Sequence, residues 1–149
     1  MNNQGVVNVG GTSAFGAVAN SGAFNVLGTS ATTVGSFTTQ SGTILVQSGP
    51  SAPATLTVTN GFTSTGLIEL RAYQDNFGNE RSATLTVTSG PLVNETSGVI
   101  RGTKNGGQDL TSGVLNLLDA ALDNRGLIDV QQYTIEKKPP ISEPITGVT

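Results

Sequence analysis

The chain has 149 residues, 36% hydrophobic and 5% aromatic, with 20 Gly, no Cys, no His and a net charge of −3. Without Cys there are no disulfides or thiolate metal sites, and without His the commonest general base and transition-metal ligand are missing, so triad chemistry and zinc hydrolysis have little to work with. No basic patch of the kind nucleic acid requires is visible, and no apolar run is long enough to span a bilayer.

From the amino terminus the chain is uncharged for 68 residues, and every Asp, Glu, Lys and Arg lies at Glu69 or later. A charge-free half rich in Ser, Thr, Asn and Gly suits a segment with neighbours at its end better than an isolated soluble domain, whose surface normally mixes both signs. The opening Met1-Asn2-Asn3-Gln4 has neither a basic stretch nor a continuous apolar one, so the expectation is a mature form or an excised fragment.

One pattern then recurs: two polar residues, Gly, any residue, an apolar residue, any residue, an apolar residue. Its glycines are Gly5, Gly22, Gly42, Gly66, Gly98 and Gly126, spaced 17, 20, 24, 32 and 28 residues apart. The polar-polar-Gly piece reads as a turn in which Gly takes a positive φ. The residues after it alternate, which puts Val7, Phe24, Ile44, Ile68, Ile100 and Ile128 on one face. Val9, Val26, Val46, Leu70 and Val130 join them, and Gly102 breaks that second column.

Ahead of every turn but the first an apolar residue (Val18, Phe37, Phe62, Val93, Leu122) suggests a second short strand. A third element is Thr-rich: Ala54-Thr55-Leu56-Thr57-Val58-Thr59, nearly repeated as Ala83-Thr84-Leu85-Thr86-Val87-Thr88 and more loosely at 113–118. There Leu56, Leu85 and Leu115 should point inward with Val58, Val87 and Leu117. Stacking like on like at ~4.8 Å per coil gives a rod roughly 25–30 Å long. The reading is an all-β, right-handed parallel β-solenoid (β-helix) of about six irregular coils. An antiparallel β-sandwich is the alternative, disfavoured because like residues recur at like places and hairpin dipeptides are rare.

The solenoid is expected over residues 1–132, with long charged loops at 71–82 and 102–112, the second holding Lys104 and Asp109. Residues 133–149, with Pro139, Pro140 and Pro144, read as an extended tail or linker.

The Asn-Ser-Gly units, and above all Leu122-Asp123-Asn124-Arg125-Gly126-Leu127-Ile128-Asp129-Val130, make residues 2–130 resemble the coils of filamentous-haemagglutinin-type adhesins and related autotransporter proteins. That resemblance implies a right-handed parallel β-helix, export, and a stalk that displays adhesive regions.

Four places merit weighing as sites. Asp75, Asn79 and Glu80 surround a Gly turn and are the weak candidates for a calcium ion, the one cofactor considered; the loop does not match an EF-hand. Tyr73 and Phe77 flank it. Asp119, Asp123 and Asp129 are the acids available to a polysaccharide-active β-helix, though solvated surface acids are the simpler account. Thr55, Thr57 and Thr59 over Thr84, Thr86 and Thr88 form a two-rung ladder of the ice-binding kind, with Thr also simply a good strand residue. Asn94-Glu95-Thr96 matches a glycosylation acceptor, read as chance. No catalytic residue is assigned. The expectation is a non-enzymatic, secreted or cell-surface structural or adhesive segment. Its partner would be a protein or glycan on another cell surface, or neighbouring copies of itself in a filament.

Overall fold

The computed structural model describes residues 1–75, 77, 79–105, 116–130 and 135–137. Asp109, Val114, Leu115 and the three tail prolines lie outside them. The chain alternates between two sheets, one strand of each per coil. The coils are β1 (Asn2–Asn3) with β2 (Val6–Val9), β3 (Thr12–Asn20) with β4 (Ala23–Leu27), and β5 (Ala31–Gln40) with β6 (Thr43–Gln47). They continue with β7 (Ala54–Ser64) and β8 (Leu67–Gln74), then β10 (Ala83–Asn94) and β11 (Val99–Asn105), then β12 (Asn116–Asn124) and β13 (Leu127–Val130). A short β9 (Glu80–Arg81) follows β8, and β14 (Ile135–Lys137) follows β13.

The first sheet runs β1-β3-β5-β7-β10-β12-β14 and the second β13-β11-β8-β6-β4-β2. Every neighbouring pair on these paths is parallel, so the fold is an all-β parallel solenoid and not an antiparallel sandwich. Among the described residues the one antiparallel pair is β8 with β9. It turns much of the expected 71–82 loop into a hairpin, and β11 likewise carries strand pairing to Asn105. β14 lies within the 133–149 stretch and adds a parallel strand where an extended tail was expected.

Two strands per coil replace the three read from sequence. The Thr-rich element and the strand entering the turn are one strand with a bend in it. In β7 and β10 the inward alternation stops around Asn60-Gly61 and Ser89-Gly90, then resumes at Phe62 and Leu92. The ladder slips between Ser89 and Leu92, the signature of a bulge, which bends the strand so that it wraps the core. Small residues permit the bend: a Cβ on Gly61 would come closer than 3.0 Å to the Pro91 carbonyl, and Gly90 has a φ of +78°.

Inside, the second sheet supplies Phe24, Ile44, Ile68 and Ile100, all fully buried, in register with Val7 and Ile128 at the ends. The first sheet adds Val18, Phe37, Phe62 and Leu92. Leu92, not Val93, continues that column, because the bulge inserts one residue. A second one-residue difference falls in β12: Leu118 and Ala120 face the core while Leu117 faces out, opposite to the pattern read from sequence. A slip of one residue exchanges the two faces of a strand. Four rings form a continuous stack, Phe15–Phe24–Phe37–Phe62, with centroids 5.5, 5.7 and 5.2 Å apart.

Candidate functional site

The turn between the two sheets repeats one backbone hydrogen bond from coil to coil. The residue after each glycine donates its N–H to the glycine carbonyl of the coil before: Ala23 to Gly5 (2.7 Å), Thr43 to Gly22 (2.8 Å), Leu67 to Gly42, Val99 to Gly66 and Leu127 to Gly98 (3.0 Å each). Gly5, Gly22, Gly42, Gly66, Gly98 and Gly126 therefore follow one another in a column. The reason for glycine differs from the one read in sequence. None of the six has a left-handed φ, which among the described glycines is found at Gly11 and Gly90. A Cβ on Gly22, Gly42 or Gly66 would instead fall closer than 3.0 Å to the carbonyl oxygen of the column glycine before it. Glycine is required by the approach of two backbones.

Behind the glycines runs an amide ladder that pattern reading missed. Asn3 Nδ2 donates to Asn20 Oδ1 (2.7 Å) and Asn20 Nδ2 to Gln40 Oε1 (2.8 Å). Each also donates to a backbone carbonyl, Ala23 and Thr43 respectively. Asn94 Nδ2 donates to Asn124 Oδ1 (2.8 Å) in the later coils. Between the halves stands Ser64, whose buried hydroxyl has no partner, as has Asn94 Oδ1. Stacked amides satisfy one another because each carries both donor and acceptor. In coil five the ladder residue sits four positions before the glycine, with Glu95 and Thr96 inserted, so counting back from Gly98 misses it. Asn94 is fully buried, which removes it as a glycosylation acceptor.

The outer face of the second sheet carries another register column: Asn8, Asn25, Leu45, Glu69, Arg101, Asp129. Asn25 Nδ2 donates to Asn8 Oδ1 (2.8 Å), and Arg101 Nε to Asp129 Oδ2 (2.9 Å). Glu69 accepts from Arg71 Nη2 (2.8 Å) and from the Thr103 hydroxyl (2.7 Å). Arg125 bridges Asp123 (2.6 Å) and Glu95 (3.0 Å). Its guanidinium is held above its ordinary value first by the Asp123 hydrogen bond, then by the charges of Asp123 and Glu95. Asp123 and Asp129 thus meet arginines rather than each other, and Asp119 faces outward on β12, four residues before Asp123 on the same strand and on the other sheet from Asp129. The three acids are not brought together.

At the β8–β9 hairpin, Asp75 organises its own loop. Oδ1 accepts the backbone N–H groups of Phe77 and Asn79 (2.9 Å each), and Oδ2 accepts from Asn79 Nδ2 (2.7 Å). The Asn79 side-chain bond, then its backbone bond, hold the Asp75 carboxyl below its usual value. Glu80 Oε1 accepts from Gln74 Nε2 (2.9 Å). Among the three calcium candidates, the oxygens of Asp75 and Glu80 are thus aimed at N–H donors, an arrangement that closes a turn. Phe77 projects from it, 91% exposed.

On the first sheet one of the Thr columns gains a rung, Thr33, beyond the two read from sequence. One runs Thr12, Ala31, Thr55, Thr84, Leu117 and the next Ala14, Thr33, Thr57, Thr86, Asp119. An open depression beside the bend is lined by Asn60, Gly61, Phe62, Ser89, Gly90 and Pro91. No group of three or more metal-binding side chains occurs among the described residues, and no helix is long and apolar enough to cross a membrane. Comparison with protein-family models, curated proteins and solved structures finds no match for this chain.

Proposed function

We propose that the chain is a non-enzymatic segment of an extracellular surface protein, a β-solenoid stalk that carries binding loops on a stiff rod. The observation that carries this reading is the use of inward positions for packing alone: apolar columns, a ring stack and a self-satisfying amide ladder. Such a core sets length and stiffness and leaves chemistry to the outside. The acids outside support it further, since Glu69, Glu95, Asp123 and Asp129 are tied to arginines. The resemblance of the coils to filamentous-haemagglutinin-type adhesins points the same way, and it makes a protein or glycan of another cell surface the fitting target. The Asp75 loop is the best-placed contact, because its hydrogen bonds hold an exposed aromatic ring in advance of binding.

The test is attachment. Beads coated with the protein should adhere to cells or to a glycan array, and Phe77→Ala should weaken adhesion several-fold without changing the circular dichroism. Beads that behave like bare ones would refute the adhesive reading. Cleavage of an acidic polysaccharide by the purified protein would refute the non-enzymatic one.

A further inference from the structure

The arginines are matched to carboxylates with one exception. Among the described residues, Arg71, Arg101 and Arg125 each meet an Asp or Glu, whereas Arg81 donates to the backbone carbonyl of Glu80 (2.7 Å) and meets no carboxylate. The acids nearest to it are engaged elsewhere. In the β8–β9 ladder Gln74 lies opposite Glu80, and Tyr73 opposite Arg81. Alternation sends the first pair inward, where buried Gln74 donates to the Glu80 carboxylate (2.9 Å), and the second pair outward. Asp75 turns both its oxygens to the N–H groups of its own loop.

The outward pair is held from behind. Ser48 is fully buried; its Oγ accepts the backbone N–H of Tyr73 (2.6 Å) and donates to the backbone carbonyl of Arg81 (2.7 Å), which fixes both strands to the coil before. Arg71, two residues before Tyr73 on the same face, is occupied by Glu69 and by Gln47 Oε1 (3.0 Å). At Tyr73, β8 is paired on both sides, by β9 and by β11. A half-buried phenol ring and a half-buried guanidinium thus stand side by side on rigid strands, and no acid of the described residues takes the guanidinium.

We infer that Tyr73 and Arg81 form a subsite for a carboxylate-bearing sugar. A guanidinium presents two parallel N–H groups that fit the two oxygens of a carboxylate, and the ring beside it offers an apolar plane to one face of a pyranose. A neutral glycan would leave the Arg81 donors unmatched. An acidic peptide fits less well, because peptides bind sheets by adding a strand, and β8 has no open edge here. This inference rests on the adhesive reading and narrows it. The target becomes an acidic glycan, and the contact extends from Phe77 to the strands that carry its loop.

A uronic acid oligomer and a sialylated oligosaccharide, each with a methyl-esterified counterpart, test the subsite by calorimetry on the whole chain. At least one acid should bind about tenfold or more tightly than its ester, as a charge-assisted hydrogen-bond pair requires. Arg81→Gln should remove that difference and leave the melting temperature in place. Arg81→Lys should restore part of it, and Tyr73→Ala should weaken acid and ester alike. Equal affinity for acid and ester, or Arg81→Gln protein that still tells them apart, would overturn the inference. So would a chain that holds cells firmly yet binds neither acid; the adhesive reading would then stand without it. Beads that attach to no cell and no glycan would remove both.

Discussion

Coils one to three are held by rings and amides, whereas coils four to six add ion pairs along the outer face of the second sheet. Both regions repeat the same turn, yet the first has glycine spacings of 17 and 20 residues and no charge, and the second has spacings up to 32 and every charged residue that lies before Val130. A parallel in-register stack explains the division. Each side chain sits on its counterpart one coil away, so a repeated charge repels itself, while a repeated Asn, Thr or Val attracts itself. Asn8 on Asn25 is such a pair. Charges enter only where the repeat is allowed to vary, and there they alternate in sign: Glu69, Arg101, Asp129 down one column.

Phe37→Ala should open the difference widest. Phe37 is 4% exposed and touches rings in the coils on both sides, Phe24 and Phe62. Its loss should cost about 3–5 kcal/mol in urea unfolding. If the two regions unfold as separate units, the loss will fall on an early transition, with amide exchange in β10 to β13 left slow. If exchange quickens equally from end to end, the division is one of chemistry and not of cooperativity.

Ser64→Asn addresses the seam between the regions. Ser64 occupies the ladder position between Gln40 and Asn94, its hydroxyl is buried without a partner, and Gln40 Nε2 turns back to its own Gly42 carbonyl (2.9 Å). An amide there should join the two ladders and satisfy Asn94 Oδ1, raising stability by about 1 kcal/mol. A fall in melting temperature would mean that the neighbouring coils already fill that space.

This seam also marks how far the sequence could be read. The alternating columns from Val7 to Ile128 and the parallel order were legible because a period of two and a recurring glycine are strong signals. The amide ladder was not, since an Asn before a Gly reads as a turn residue whether it faces water or core. Val93 and Leu117 were assigned to the wrong face, the first because a bulge shifts phase by one residue and the second because the strand lies one residue out of the register read for it, and neither leaves a mark in composition. The column glycines were recognised as necessary for the wrong reason, since a single sequence does not reveal the carbonyl of the coil beneath. The candidate sites were the least legible: pairing Asp123 and Asp129 with arginines depends on which residues the stacking brings side by side.

The smallest expected effect lies at the Asp75 hairpin, where the later coils differ most from the early ones. The folded Asp75 carboxyl lies below its ordinary value of 3.8, so its ionised form is the one the loop favours. Its contribution is fully present above 3.8 and is lost as pH falls through the lower folded value. Protonation removes acceptor strength from the bonds to Phe77 and Asn79. Between pH 5 and strongly acidic solution, the amide resonances of those two residues should shift and their exchange should quicken, while the uncharged turns at Gly22 and Gly42 stay unchanged. The same scan with Asp75→Asn should flatten the response at the hairpin alone. If the early turns titrate too, the charge-free coils are coupled to the loops, and the two regions behave as one unit after all.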